Sequence, residues 1–232
     1  MRLFAIADPH LSQAHPKPMD VFGGNWTGHP QAFFDGWEMS GVTSEDLILI
    51  PGDISWAMSL EDALLDLKAI AKLPGQKILS RGNHDYWWPS ISKLRSSLPQ
   101  GMFALQNDAL RVGDTAFCGT RGWTCPDADG FSLEDEKIYK RELERLRLSL
   151  QAARKLEAAQ TVVMLHYPPT ASNLHPTGFT ALLEEFRPSC VVYGHLHGVN
   201  PERLLKDWEG IPLHFVAADA LRFRPKLILE RV

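Results

Sequence analysis

The feature that most constrains this chain is a recurrence: five short apolar runs, each followed within a few residues by Asp, Asn or His. The runs cover residues 3–7, 47–50, 77–79, 161–165 and 190–193, and are mostly Leu or β-branched. Runs this short, without polar alternation, predict strands covered on both faces. Behind them stand Asp8-Pro9-His10, Pro51-Gly52-Asp53, Gly82-Asn83-His84-Asp85, His166, and Gly194-His195-Leu196-His197. In open α/β sheets, ligands collect at the carboxyl ends of the strands. Taken singly, a His near a strand end is more often a hydrogen-bonded packing residue, and Asp after Gly is usually a turn residue. Taken together, the five ends predict one convergent polar site.

Helical patterns lie between the runs. Ser59 with Asp62 makes a capping-box-like start ahead of Ala63, Leu64, Leu67, Ile70 and Ala71, and Pro74-Gly75 stops that helix. Pro89 opens a short helix that carries Ile91 and Leu94 inward. The longest helix starts near Ser132, with Tyr139, Leu143, Leu146, Leu150 and Ala153 on one stripe. On its solvated face Glu136 and Lys140 stand in the favourable i,i+4 order. Residues 110–112 and 115–118 flank Gly113-Asp114 as a hairpin, and 213–216 and 227–229 read as late strands. Alternating strands and helices followed by hairpins predict a layered α/β sandwich rather than a purely parallel sheet.

With 232 residues and no repeats or linkers, the chain reads as a single domain over 1–232. Residues 12–40 break the pattern. They hold Pro16, Pro18, Gly23, Gly24, Gly28 and Pro30 together with Trp26, Phe33, Phe34 and Trp37. That is too aromatic for a disordered linker, so an ordered excursion is expected, partly helical near 31–39 and a candidate cap over the site.

Charge narrows the partners. The formal net charge is -4, with both signs mixed along the chain, which argues against a general affinity for nucleic acid or anionic membrane. No apolar run approaches the ~20 residues that span a bilayer, and the first run is too short for a signal-peptide core. Cys118, Cys125 and Cys190 lack zinc-site spacing and read as reduced thiols of a cytoplasmic protein.

The residue types select the chemistry. Asp and His without Cys suit Mn, Fe, Zn, Co or Ni, with the native metal left open. Seven candidate ligands, Asp8, His10, Asp53, Asn83, His166, His195 and His197, exceed the needs of one tetrahedral ion. Two ions sharing Asp53 as a bridging carboxylate use them well. Metals ~3.5–4 Å apart clamp both sides of an in-line displacement. Two divalent ions less two aspartates and one hydroxide leave a residual positive charge, which favours an anionic phosphoryl group.

Asp8-x-His10, Gly52-Asp53, Gly82-Asn83-His84-Asp85, His166 and Gly194-His195-x-His197 resemble the ordered signature of the calcineurin-like metallophosphoesterases, over about 190 of the residues. The resemblance implies a four-layer αββα sandwich with two mixed β-sheets and the metal site at the strand C-terminal ends. It implies one metal held by Asp8, His10, Asp53 and His197, and a second held by Asp53, Asn83, His166 and His195. It makes His84 the catalytic residue that contacts phosphate and protonates the leaving oxygen, with Asp85 orienting it. The implied reaction is hydrolysis of a phosphomonoester or phosphodiester by a two-metal-activated hydroxide, on a small-molecule or nucleotide substrate. Arg81, Arg121 and His175 are candidate substrate contacts. One departure stands out: Ile54-Ser55-Trp56 follow the Gly-Asp pair, where many members place another acidic residue or Asn. Trp56, Trp87 and Trp88 are expected in core or interlayer packing rather than substrate stacking. The alternatives are a catalytically weak interaction scaffold on the same fold, a nuclease, or a protein phosphatase.

Overall fold

The side chains of the apolar runs alternate between two cores, and this alternation fixes the layers. The computed structural model describes residues 1–171 and 175–232. In the strands β1 (Leu3–Ala5) and β2 (Leu47–Pro51), Phe4, Ile48 and Ile50 point to one core while Leu3, Ala5, Leu47 and Leu49 point to another. The first of these cores lies under three helices: α1 (His29–Glu38), α2 (Leu60–Ala71) and α3 (Ile91–Ser97). The second lies between two sheets.

The first sheet has the order β11-β1-β2-β3-β4, with β3 (Gln76–Ser80) and β4 (Met102–Ala104) parallel to β1 and β2, and β11 (Lys226–Leu229) antiparallel at the edge. The second sheet has the order β5-β6-β7-β8-β10-β9. Its parallel centre is β6 (Thr115–Thr120), β7 (Gln160–Leu165), β8 (Cys190–Tyr193) and β10 (Ile211–Phe215). The antiparallel edges are β5 (Ala109–Val112), the hairpin partner of β6, and β9 (Asp207–Trp208).

The same alternation runs through the second sheet. Phe117, Val162, Met164, Cys190 and Val192 face the first sheet, and Ala116, Cys118, Val163, Leu165, Val191 and Tyr193 face a third core. That core is closed by α4 (Leu133–Arg154) and α5 (Gly178–Phe186). The result is helix, sheet, sheet, helix, the four-layer sandwich with two mixed sheets. Among the described residues no helix is long and apolar enough to cross a membrane.

Local signals set the helix ends. Ser132 caps α4 through a reciprocal capping box with Asp135, and Ser59 accepts from the Asp62 N–H at the start of α2. The excursion is more ordered than its composition suggests. Two 3₁₀ turns, Asp20–Phe22 and Gly24–Trp26, lead into α1, which starts two residues ahead of the expected helical stretch with Pro30 in its first turn. Trp26, Phe33 and Trp37 are fully buried in the first core.

One connection places the site. The first apolar run is longer than β1: the Ile6 N–H still donates to the Leu49 carbonyl of β2, and Ala7 then bridges Ala217 at the end of the second sheet. The Ala7 N–H donates to the Val216 carbonyl at 2.7 Å, and the Ala7 carbonyl accepts from the Ala218 N–H at 2.9 Å. The two sheets are therefore stitched together one residue before Asp8.

Candidate metal centre

All seven predicted ligands sit at the carboxyl ends of β1, β2, β3, β7 and β8, around the stitched seam. Asp8, Asp53 and His166 are essentially inaccessible, and His10 is 2% exposed. Two groups of three have ligand atoms that all lie within 4.8 Å of one another: Asp8, His10 and His197, and Asp53, His166 and His195. Asp53 stands between the groups, with Oδ2 3.4 Å from His166 Nε2 and 3.8 Å from His10 Nε2.

The backbone is bent to bring these atoms together. Asp8, His10, Asp53 and His195 adopt left-handed φ of 59°, 46°, 50° and 70°. For non-glycine residues this costs ~1–2 kcal/mol each and is tolerated where surrounding bonds enforce it. Those bonds are present: the Asp8 N–H donates to the Gly52 carbonyl and the His10 N–H to the Asp53 carbonyl, each at 3.1 Å. The motif glycines supply clearance. A Cβ on Gly82 would collide with the Asp53 carboxylate, and one on Gly194 with that of Asp8.

The donor set fits cations. His166 Nδ1 donates to the Pro51 carbonyl at 3.0 Å, which in the neutral ring leaves the Nε2 lone pair facing Asn83 Oδ1 at 2.8 Å. With the ring neutral, the facing acceptors would suit a cation between them; without one, the ring takes up a proton and donates to Asn83 instead. His10 Nε2 and His197 Nε2 face each other in the same manner at 3.3 Å, with the His197 Nδ1 proton given to Asp219 at 3.1 Å. Asp8 Oδ1 is buried without a hydrogen-bond partner. Leaving such an oxygen unpaired is costly. The arrangement is that of two candidate metal-binding groups sharing a wall.

Charge in the protein alone points the same way. Burial pushes the Asp8 carboxyl up to about 7, although His166 and His197 oppose the shift. Burial also opposes a charged His166, yet the Asp53 and Asp8 carboxylates outweigh it and hold the ring up at about 9. Burial works against ionised Asp53 as well, but His166 and His10 keep its carboxyl well below the usual range. His195 is lowered to about 3, first by burial and then by His166. His10 is lowered by burial.

His84 lies beside these groups. Its N–H donates to Asp53 Oδ1 at 2.8 Å, its Nδ1 is buried without a partner, and burial lowers its pKa. Its ring centroid is 4.4 Å from that of Trp56.

Asp85 does something other than expected. Its carboxylate accepts no bond from His84. It takes the N–H groups of Gly82, Asp53, Ile54 and Ser55 at 2.8 Å to 3.3 Å, and the Trp87 indole at 3.0 Å. It therefore pins the Asp53 loop to the Gly82 loop, and the expectation that it orients His84 is corrected. The physical reason is that its carboxylate is already taken up by these five donors. Burial pushes the Asp85 carboxyl up to about 6, with the charge of Asp53 adding to the effect.

The tryptophans divide. Trp87 and Trp88 are buried in the first core, as expected of packing residues. Trp56 is half-buried and walls the site: it stacks on His10 at 4.9 Å and carries Lys17 Nζ 3.4 Å above its ring. Of the candidate substrate contacts, Arg81 donates Nε to the Asp85 carbonyl at 3.2 Å, and Arg121 lies over Trp123 at 4.3 Å. His175 is exposed, with Nδ1 3.5 Å from Asp127.

Three contributors were missed in the sequence. Asp219 holds His197 and accepts from the Gly198 N–H at 3.0 Å, the familiar carboxylate behind a ligand histidine. Its signal was present, since the late run 213–216 is followed shortly by an Asp, as the other runs are. His29 donates to the His10 carbonyl at 3.0 Å, and Asp66 accepts from the Ser55 hydroxyl at 2.5 Å. Nothing in the sequence tied His29 to His10 or marked Asp66.

Comparison with known proteins agrees with this geometry. The family description "Calcineurin-like phosphoesterase" matches residues 1–199, more than half of the chain. The chain belongs to this family of metal-dependent phosphoester hydrolases. Comparison with curated proteins yields no match. Among solved structures, a Thermus thermophilus protein is similar at a TM-score of 0.61 and 12% identity, covering 99% of each chain. The calcineurin-like phosphoesterase YfkN from Bacillus subtilis is similar at a TM-score of 0.51 and 13% identity, covering 93% of this chain and 80% of that one. At such identities these likenesses speak for the fold alone.

Proposed function

We propose that the protein hydrolyses a small phosphomonoester or phosphodiester, nucleotides included, at a two-metal centre. Asp8, His10, Asp53 and His197 would hold one ion, and Asp53, Asn83, His166 and His195 the other. The observation that carries this reading is the pair of three-residue donor groups meeting at the Asp53 carboxylate. When bound, such ions supply Lewis-acid polarisation of the phosphoryl group and lower the pKa of water.

The remaining work falls to residues of the chain. Asp219 fixes the tautomer of His197 so that its Nε2 lone pair faces the centre. The Pro51 carbonyl does the same for His166. Asp85 holds the Asp53 and Gly82 loops in register. Trp56 excludes water from one side of His10 and His84. His84 is left free to contact the phosphoryl group and to hand a ring proton to the departing oxygen, a role of the size usual for general acids, ~10²–10⁴-fold.

The test is metal content followed by turnover of bis-p-nitrophenyl phosphate with added manganese. Two equivalents of metal and chelator-sensitive hydrolysis are expected. Protein that holds no metal and stays inactive with Mn, Ni, Co and Zn would overturn the reading and favour the scaffold.

A further inference from the structure

A recess of about 250 Å³ opens where the ends of β3 and β6 meet the middle of α4. Arg81, Arg121, Arg141, Arg145, Glu142 and Thr120 line it. Glu142 is 1% exposed and forms its floor. Glu142 Oε2 accepts from the Thr120 hydroxyl at 2.5 Å, and Oε1 accepts from Arg145 Nη1 at 2.7 Å. Arg121 Nη2 at 3.6 Å and Arg141 Nε at 3.9 Å crowd the same Oε1 oxygen.

One carboxylate thus faces three guanidiniums, and Arg81 adds a fourth on the rim. Arginine keeps its proton in proteins, so the surplus of positive charge cannot be shed by titration. Arg121 is only 16% exposed, and its buried Nε has no partner. An anion seated in the recess would offset the surplus charge, and guanidinium forks suit phosphate and carboxylate oxygens.

The recess shares a wall with the candidate metal centre. The Arg121 carbonyl accepts from the N–H groups of His166 and Tyr167, and Arg81 directly precedes Gly82-Asn83-His84. Its volume is below the ~300–1,000 Å³ of a whole small-molecule site. It is sized for part of a ligand.

We propose that this recess binds a second, non-reacting anionic group of the substrate, so that the favoured substrates are small phosphoesters carrying two anionic groups. This rests on the hydrolase reading above. Arg121 and Arg145 form the inner contacts, held by Glu142, while Arg81 and Arg141 close over the group from the rim.

The test has two arms, both on the full-length, manganese-loaded protein. In the first, kcat/KM is compared for a sugar monophosphate and the corresponding bisphosphate. The bisphosphate is expected to be favoured by at least about tenfold, as a charge-assisted hydrogen bond supplies. The Arg141→Gln variant, at a residue 54% exposed and so safe for the fold, should lose most of that ratio. Equal ratios in the two proteins would overturn the proposal. In the second arm, crystals are soaked in tungstate, a phosphate mimic located by its anomalous scattering. An ion is expected in the recess and is expected to be absent from Arg121→Gln crystals. Tungstate confined to the metal centre overturns the proposal, and so does tungstate in the recess with an unmoved ratio, which marks an adventitious ion only. A protein that turns nothing over yet fills the recess with tungstate refutes the hydrolase reading and leaves the anion site standing.

Discussion

His84 and Asp85 are neighbours in sequence but divide the labour of the site. His84 presents a ring with an unused Nδ1 beside Asp53, while Asp85 spends its carboxylate on four backbone N–H groups and an indole. Their substitution should therefore fail in different ways. His84→Ala is expected to keep its metal and lose turnover by ~10²–10⁴-fold. Asp85→Ala strands five donors and should cost more than ~3 kcal/mol and lose metal too. Metal analysis and urea denaturation of the two variants separate these outcomes, and an Asp85→Ala protein of full stability would refute the pinning role. At this scale the candidate ligands and their convergence were legible, because each stands just behind a strand and strand ends are where donors gather. The function of Asp85 was not, because adjacency to His84 suggested a pair, whereas its carboxylate is taken up by backbone N–H groups from two loops and an indole. Asp219 sits behind a less continuous apolar run, and only the folded chain brings it to His197.

Among the elements, the excursion of residues 12–40 behaves as a buttress. Trp26 is 1% exposed, with ring centroids 5.8 Å from His10, 5.1 Å from His197, 5.4 Å from His29 and 5.4 Å from Phe223. It fills the space behind two of the candidate ligands. Trp26→Ala is expected to cost ~3–5 kcal/mol and to speed metal loss, read from the denaturation midpoint and from a chelator-exchange rate. An unshifted midpoint would show that the indole packs more loosely than its burial implies. Most regular elements were foreseeable from period and caps, as with Ser132 ahead of α4, but the short helix α5 was not expected. The strands β4 and β9 were not, being only three and two residues long and defined by their partners rather than by their own pattern. The charged side of α4 read as a solvated face, which holds for Glu136 and Lys140 at 2.6 Å. It fails for Glu142, whose burial depends on where β6 ends.

For the whole molecule, the layered packing carries one unneeded charge. Lys77 points from β3 into the first layer, 1% exposed, with Nζ donating to the Leu73 carbonyl and lying 5.6 Å from the Trp37 ring. Burial lowers its pKa from 10.5 to about 8. Between those values the unfolded chain holds a proton that the native state has released, so this group's contribution to stability rises with pH through that window. At neutral pH the buried ammonium is a net cost. Lys77→Met should therefore melt at a higher temperature than the parent at pH ~7, with the gain shrinking toward pH ~10. Thermal melts of both proteins at the two pH values check this, and a gain that grows with pH would contradict it.

The seam at Ala7 and Ala217 has a consequence for how the protein matures. The donors span Asp8 to His197 and converge only after both sheets have joined, so no fragment that stops short of Ala217 holds the joined centre. Contacts of such sequence separation form late and slowly. Metal then binds the finished fold alone, and by mass action stabilises it by RT ln(1 + [L]/Kd) over every partly folded form. Loading the centre becomes a report that the two sheets have joined.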